Sequence, residues 1–139
     1  MNSINERVKG FRDTIKGHPQ YKIVEEKESA AEFEIAMKVM EKIIYEKKNY
    51  DVVMGGNDPI ALGCIAAMQM TDKTDQVMVY GVDGSPDGKA MIKAGFLEGT
   101  AAQSPIKIGE KAVQTAYSYL AGETVKKTCY NTCRINYSR

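Results

Sequence analysis

The sequence predicts an α/β fold, a parallel sheet with helices on both of its faces. Three observations carry that expectation. Segments of helical periodicity alternate with short apolar runs along the whole chain, as they do in parallel sheets built from crossover units. Three helix starts place a capping side chain before a proline, at Asp58-Pro59, Ser85-Pro86 and Ser104-Pro105, and proline suits the first helical position because its φ is preset and its missing N–H is not needed there. Polar residues also collect where strands should end: Asn57 and Asp58, then Asp83, then Gln103. In open α/β sheets the carboxyl ends of the strands are where ligands bind.

The elements follow in order. Residues 4–17 read as a helix, with Val8, Phe11 and Ile15 at helical spacing, and His18-Pro19 ends it because the residue before a proline is pushed out of the helical region. Tyr21–Glu25 is the first strand candidate. Residues 30–47 form the longest helix, with Phe33, Met37, Met40 and Ile44 as the stripe to be buried. A strand over Asp51–Met54 runs into Gly55-Gly56-Asn57-Asp58. The three proline-marked helices then run to about Met70, to Gly95 and to Gly122, the last two stopping at the residue that most readily closes a helix. Gln76–Val82 and Glu98–Gln103 are the strands between them, and Thr128–Tyr137 is a final extended segment.

The chain has 139 residues, 43% hydrophobic and 27% charged, which fits one globular domain with a sizeable core. Nineteen basic against eighteen acidic residues leave a formal net charge of +1, so no electrostatic argument favours nucleic acid or an anionic membrane. No apolar run approaches a membrane span. Met1 to Arg7 lead directly into an amphipathic helix, so no signal peptide is read there. Cys64, Cys129 and Cys133 read as structural: Cys64 as a small buried residue in a helix, the other pair as a C-x-x-x-C without the further ligands a zinc site needs.

Catalysis has little to work with. His18 is the only histidine, and beside a proline at a helix end it is expected to be exposed. Nucleophile elbows, phosphate-cradling glycine motifs and Cys–His signatures are absent. The chain is therefore read as a non-enzyme, with no cofactor and no metal. A neutral polyol is better served: its hydroxyls donate and accept at once, which suits planar guanidinium, amide and carboxylate groups. Arg7, Asn57, Asp83 and Gln103 supply one donor-only fork, two amides and one acceptor-only carboxylate. The plainer reading, helix capping, suffices for Asp58 and for Ser85 and Ser104. It explains Asn57, Asp83 and Gln103 less well.

Taken together, Arg7-Val8-Lys9-Gly10-Phe11, Asn57-Asp58-Pro59-Ile60-Ala61-Leu62-Gly63, Gly81-Val82-Asp83-Gly84 and Gln103-Ser104-Pro105 resemble type I periplasmic sugar-binding proteins in order and spacing, over nearly the whole chain. The resemblance implies a periplasmic-binding-protein-like lobe with a flavodoxin-like sheet, incomplete because a first lobe and one central strand before the Arg7 helix are missing. It implies Arg7, Asn57, Asp83 and Gln103 as ligand contacts, with residues 1–103 forming most of the second lobe, 104–127 a helix belonging to the first, and 128–139 a final crossover strand and tail. A stacking aromatic common in such proteins aligns with Ala31, two residues before Phe33. The implied parent is a periplasmic or lipid-anchored solute-binding protein that works with an ABC permease. The alternative is the effector-binding part of a lactose-repressor-like regulator. A piece cut from two lobes is further expected to bind sugar weakly and to form a homodimer by exchanging the 105–121 helix or the 128–137 strand.

Overall fold

The computed structural model describes residues 2–47, 49–71, 77–126 and 134–137. Five helices and four strands follow one another in these segments: α1 (Asn2–Ile15), α2 (Phe33–Tyr45), β1 (Val52–Met54), α3 (Asp58–Gln69), β2 (Met78–Asp83), α4 (Pro86–Lys93), β3 (Gly99–Ala102), α5 (Pro105–Leu120) and β4 (Arg134–Tyr137). Cys129 and Cys133 lie outside the described residues.

The strands form one sheet in the order β1-β2-β3-β4. β1, β2 and β3 are parallel, in a register that sets Val53 opposite Val79 and Val82 opposite Ala101. β4 joins the far edge of β3 antiparallel, with Ala102 opposite Arg134. The expected parallel sheet thus carries one antiparallel edge strand.

One expected element did not form. Residues 21–25 are irregular, and Tyr21, Ile23 and Val24 are half exposed or more. Their side chains favour a strand, but strand propensity is realised only through a ladder and side-chain burial, and no described strand lies beside them.

α3 is the centre of the molecule. It is apolar on nearly every side, as a helix enclosed by other layers must be, and Ala61, Ile65, Ala67 and Met68 are wholly buried. One side packs on the sheet through Val79, with Leu97 and Met40 closing the same core. Burial of Ile65, Met68 and Leu97 is worth roughly 1.5–3 kcal/mol each. The other side meets α2 closely at Gly63, where a Cβ would overlap the Phe33 carbonyl and come 3.0 Å from the Ala36 Cβ and the Met37 nitrogen. Of the stripe expected on α2, Met40 is buried and Met37 and Ile44 pack at the core margin. Phe33 is 41% exposed, and Ala36 takes the buried place.

Side chains alternate along a strand, so β2 separates two layers. Val79 and Gly81 face α3, since a Cβ on Gly81 would run into Asp58 and Ala61. Val82 faces α1 across an open groove. Helices therefore cover both faces. α4 and α5 close on Gly95 and Gly122, whose φ values of +80° and +81° suit glycine. α5 stands apart: none of its 16 residues is buried. No helix among the described residues is long and apolar enough to cross a membrane.

Candidate functional site

Because β1, β2 and β3 run the same way, their carboxyl ends share one edge. β1 ends at Met54 and leads to Asn57, β2 ends on Asp83, and β3 ends one residue before Gln103. α1 reaches that edge from the opposite face, with Ile4 against Gly56, where a Cβ would come 2.9 Å from the Ile4 Cγ2. The four sequence-predicted residues are thus brought to one end of the sheet.

Three of them are bonded to one another. Arg7 donates from Nη2 to the Asp83 Oδ1 at 2.9 Å and from Nη1 to the Gly56 carbonyl at 2.8 Å. Gln103 donates from Nε2 to the same Asp83 oxygen at 2.6 Å. Both side-chain bonds end on Oδ1, so Oδ2 makes neither. The Arg7 and Asp83 side chains keep 21% and 33% of their surface, and Gln103 is exposed. A guanidinium fork, a carboxylate and an amide are therefore prearranged in water's reach. That combination can accept from and donate to neighbouring hydroxyl groups.

Asp83 is held in an unusual backbone conformation. Its φ is +131° and Gly84 follows at +69°. A non-glycine residue at such a φ is strained and persists only where its surroundings fix it. Here they do: Gln103 N–H donates to the Asp83 carbonyl at 3.0 Å, and the side chain is fixed by Arg7 and Gln103.

Asn57 also has a local role that the sequence did not lead us to expect. It is the cap of α3, accepting from the Ile60 N–H at 2.9 Å, and its Nδ2 donates to the Ala31 carbonyl at 3.2 Å. The Asp58-Pro59 signature is therefore shifted by one residue: Asp58 is the first helical residue and not the cap. The Ala31 carbonyl that Asn57 holds belongs to a loop in which Ala30 and Ala31 both take positive φ, 50° and 65°, so the position aligned with a stacking aromatic lies next to the site.

Sequence reading missed the burial and bonding of Asp58. It is completely buried, accepting from the Thr100 hydroxyl at 2.6 Å and from the Ser85 N–H at 2.7 Å. No local signal marks it, since its partners stand 27 and 42 residues away. Ser85 caps α4 as expected, through Gly88 N–H at 3.0 Å. Ser104 makes no side-chain cap bond.

Beside the trio runs an open groove of about 370 Å³, lined by Arg7, Gly10, Phe11, Thr14, Val82, Ala101 and Gln103. A second groove, of about 430 Å³, lies at the other end of α1 and shares none of the four residues. His18 lines that second groove and is exposed, as expected. Cys64 is the buried thiol, its pKa pushed up to about 11 by burial, which leaves it unreactive at neutral pH. No group of three or more His, Cys, Asp or Glu among the described residues is placed to hold a metal.

Residues 1–124 match the family model described as periplasmic binding protein domain. The ribose import binding protein of Salmonella typhimurium is 34% identical over 125 residues, covering 90% of this chain and 42% of that protein. The D-apiose import binding protein of Paraburkholderia graminis is 33% identical over 121 residues, covering 86% and 38% respectively. Among solved structures, an ABC transporter solute-binding protein from Bacillus halodurans with bound myo-inositol superposes with a TM-score of 0.88 at 26% identity, covering 95% of this chain and 46% of that one. The chain thus spans less than half the length of the relatives it matches. With a family model covering most of its residues and the same fold in a solved relative, the chain belongs to the periplasmic binding protein domain family.

Proposed function

We propose that the chain forms one wall of a cleft that captures a sugar or similar polyol, in a solute-binding protein serving an ABC permease. The observation that supports this best is the bonded trio of Arg7, Asp83 and Gln103, partly exposed at the carboxyl edge of the sheet. In this reading Arg7 and Gln103 donate to ligand hydroxyls and Asp83 accepts from them. Asn57 contributes what its amide has left, the second Nδ2 hydrogen. Relatives described as import binding proteins favour transport over the repressor-type alternative. The same relatives support a non-enzymatic role and a site of action in the periplasm or at the cell surface.

A single wall offers half of an enclosing pocket, and sites of this kind bury most of their ligand. The 139-residue chain is therefore expected to bind D-ribose, D-allose or myo-inositol with a Kd weaker than about 1 mM. Amide shift mapping during such titrations tests this. The expected pattern is small shifts around Arg7, Asn57, Asp83 and Gln103, abolished by Asp83→Ala. Shifts centred on the second groove, or a response that Asp83→Ala leaves intact, would remove these residues from the site.

A further inference from the structure

We propose that Asp58 is a positioning residue, a buried latch that fixes the turn after β2 and thereby aims the Asp83 carboxylate at Arg7 and Gln103. The proposal rests on the sugar-cleft reading for its function but not for its geometry.

Asp58 is fully buried at the start of α3. Each of its oxygens has its own donor: Thr100 Oγ1 at 2.6 Å on Oδ1, and Ser85 N–H at 2.7 Å on Oδ2. Since the Thr100 hydroxyl gives its proton to Asp58, its oxygen is left to accept, and Gly84 N–H donates to it at 3.1 Å. The two amides that follow Asp83 in the chain, those of Gly84 and Ser85, are therefore both tied to this one pair of side chains. Two glycines make the room: a Cβ on Gly81 or on Gly88 would overlap the carboxylate. The latch thus joins the start of α3, the turn after β2 and the middle of β3.

Asp83 immediately precedes the latched amides and carries the strained φ of +131°. Released from Asp58 and Thr100, the turn would relax toward an ordinary φ, and the carboxylate would swing away from its two donors. A buried carboxylate that bonds neither Arg7 nor Gln103 would in this way control how both meet Asp83.

The test is the interaction between Arg7 and Asp83, measured in urea unfolding of the chain by the cycle of Arg7→Ala, Asp83→Ala and the double variant. A partly exposed ion pair is worth a factor of about 1.5 to 5 in the unfolding equilibrium constant. The cycle is run in four backgrounds: wild type, Thr100→Val, Thr100→Ser and Asp58→Asn. Thr100→Val removes the hydroxyl, and Asp58→Asn keeps the shape but presents an NH2 to one of the two donors. General loss of stability cancels within each cycle, so a merely structural Asp58 leaves the interaction factor unchanged. We expect a factor of about 3 in wild type and in Thr100→Ser, falling toward 1 in Thr100→Val and in Asp58→Asn. If Thr100→Val does not unfold cooperatively, Asp58→Asn alone carries the comparison. The same factor in the wild type and Asp58→Asn backgrounds overturns the proposal, as does a wild type with no interaction at all. No sugar enters this measurement, so failure of the sugar titrations would remove the cleft reading and leave the latch standing.

Discussion

Replacing Asp83 by glycine should leave the chain more stable than replacing it by alanine, the reverse of the usual order within a strand. Both substitutions delete the carboxylate and with it the bonds from Arg7 and Gln103. At 21% and 33% side-chain exposure this loss is worth about 1–2 kcal/mol in either variant. They differ in the backbone. Alanine keeps a Cβ at φ +131° and so keeps a strain of about 1–3 kcal/mol. Glycine removes that strain, at a cost of about 0.5–1 kcal/mol in unfolded-state entropy. The balance puts Asp83→Gly about 1 kcal/mol above Asp83→Ala. Urea unfolding followed by circular dichroism, with equal slopes in the two variants, gives the difference directly. If Asp83→Gly proves equal to or less stable than Asp83→Ala, no strain is stored at this residue. Both variants should lose the sugar-dependent shifts, so the glycine variant would separate stability from function at one position.

Other outcomes follow from the packing. Gly63→Ala should destabilise by about 2 kcal/mol or more in thermal unfolding, because its Cβ meets the rigid backbone of α2. In a Cys129→Ser, Cys133→Ser background, Cys64 should resist a disulfide-exchange reagent at pH 8 until urea unfolds the chain. Its folded pKa of about 11 lies above the ordinary 9.0, so the thiol's contribution is complete below pH 9 and is lost as pH rises through 11. Tyr50→Phe should be neutral or stabilising by about 1 kcal/mol, since the Tyr50 hydroxyl is buried without a hydrogen-bond partner among the described residues. Sedimentation at micromolar concentration should show a homodimer that Leu120→Glu weakens; α5 exposes Ile106, Val113, Tyr117 and Leu120, and such a face favours association. β4 pairs with β3 of its own chain, so α5 is the element we expect to exchange.

Much of the fold could be read locally, because its signals are local. Ser85-Pro86 starts α4, and Gly95 and Gly122 stop α4 and α5, each by chemistry within one helical turn. What failed depended on distant partners. Tyr21 to Glu25 has the residues of a strand and, among the described residues, no ladder to join. The antiparallel sense of β4 depends on where residues 134–137 meet β3, which no pattern inside that segment specifies. Register at the Asp58-Pro59 start slipped by one residue because Asn57 and Asp58 can both cap, and only the bonds of Asp58 to Thr100 and Ser85 show which one does not.

The candidate site shows the same division more sharply. Asn57, Asp58 and Asp83 are all small polar residues after parallel strands, and each could cap, bind or brace. Three-dimensional partners assign the roles. Asp58 has both oxygens engaged and no exposure, so a ligand has nothing to reach. Asn57 is nearly buried and spends each end of its amide on backbone, which leaves it one hydrogen to offer. Asp83 keeps a third of its side-chain surface and an oxygen that neither Arg7 nor Gln103 takes. Burial of a carboxylate is tolerated when its bonds are complete, whereas recognition needs a group whose bonds are incomplete but whose direction is fixed. Asp83 meets that second condition only because other groups hold it at a φ it would not adopt alone. On the proposed reading the residue best placed to bind is thus the one most dependent on its neighbours, and the sequence pattern that marks it, Gly81-Val82-Asp83-Gly84, contains none of the four side chains, Arg7, Gln103, Thr100 and Asp58, that set its aim.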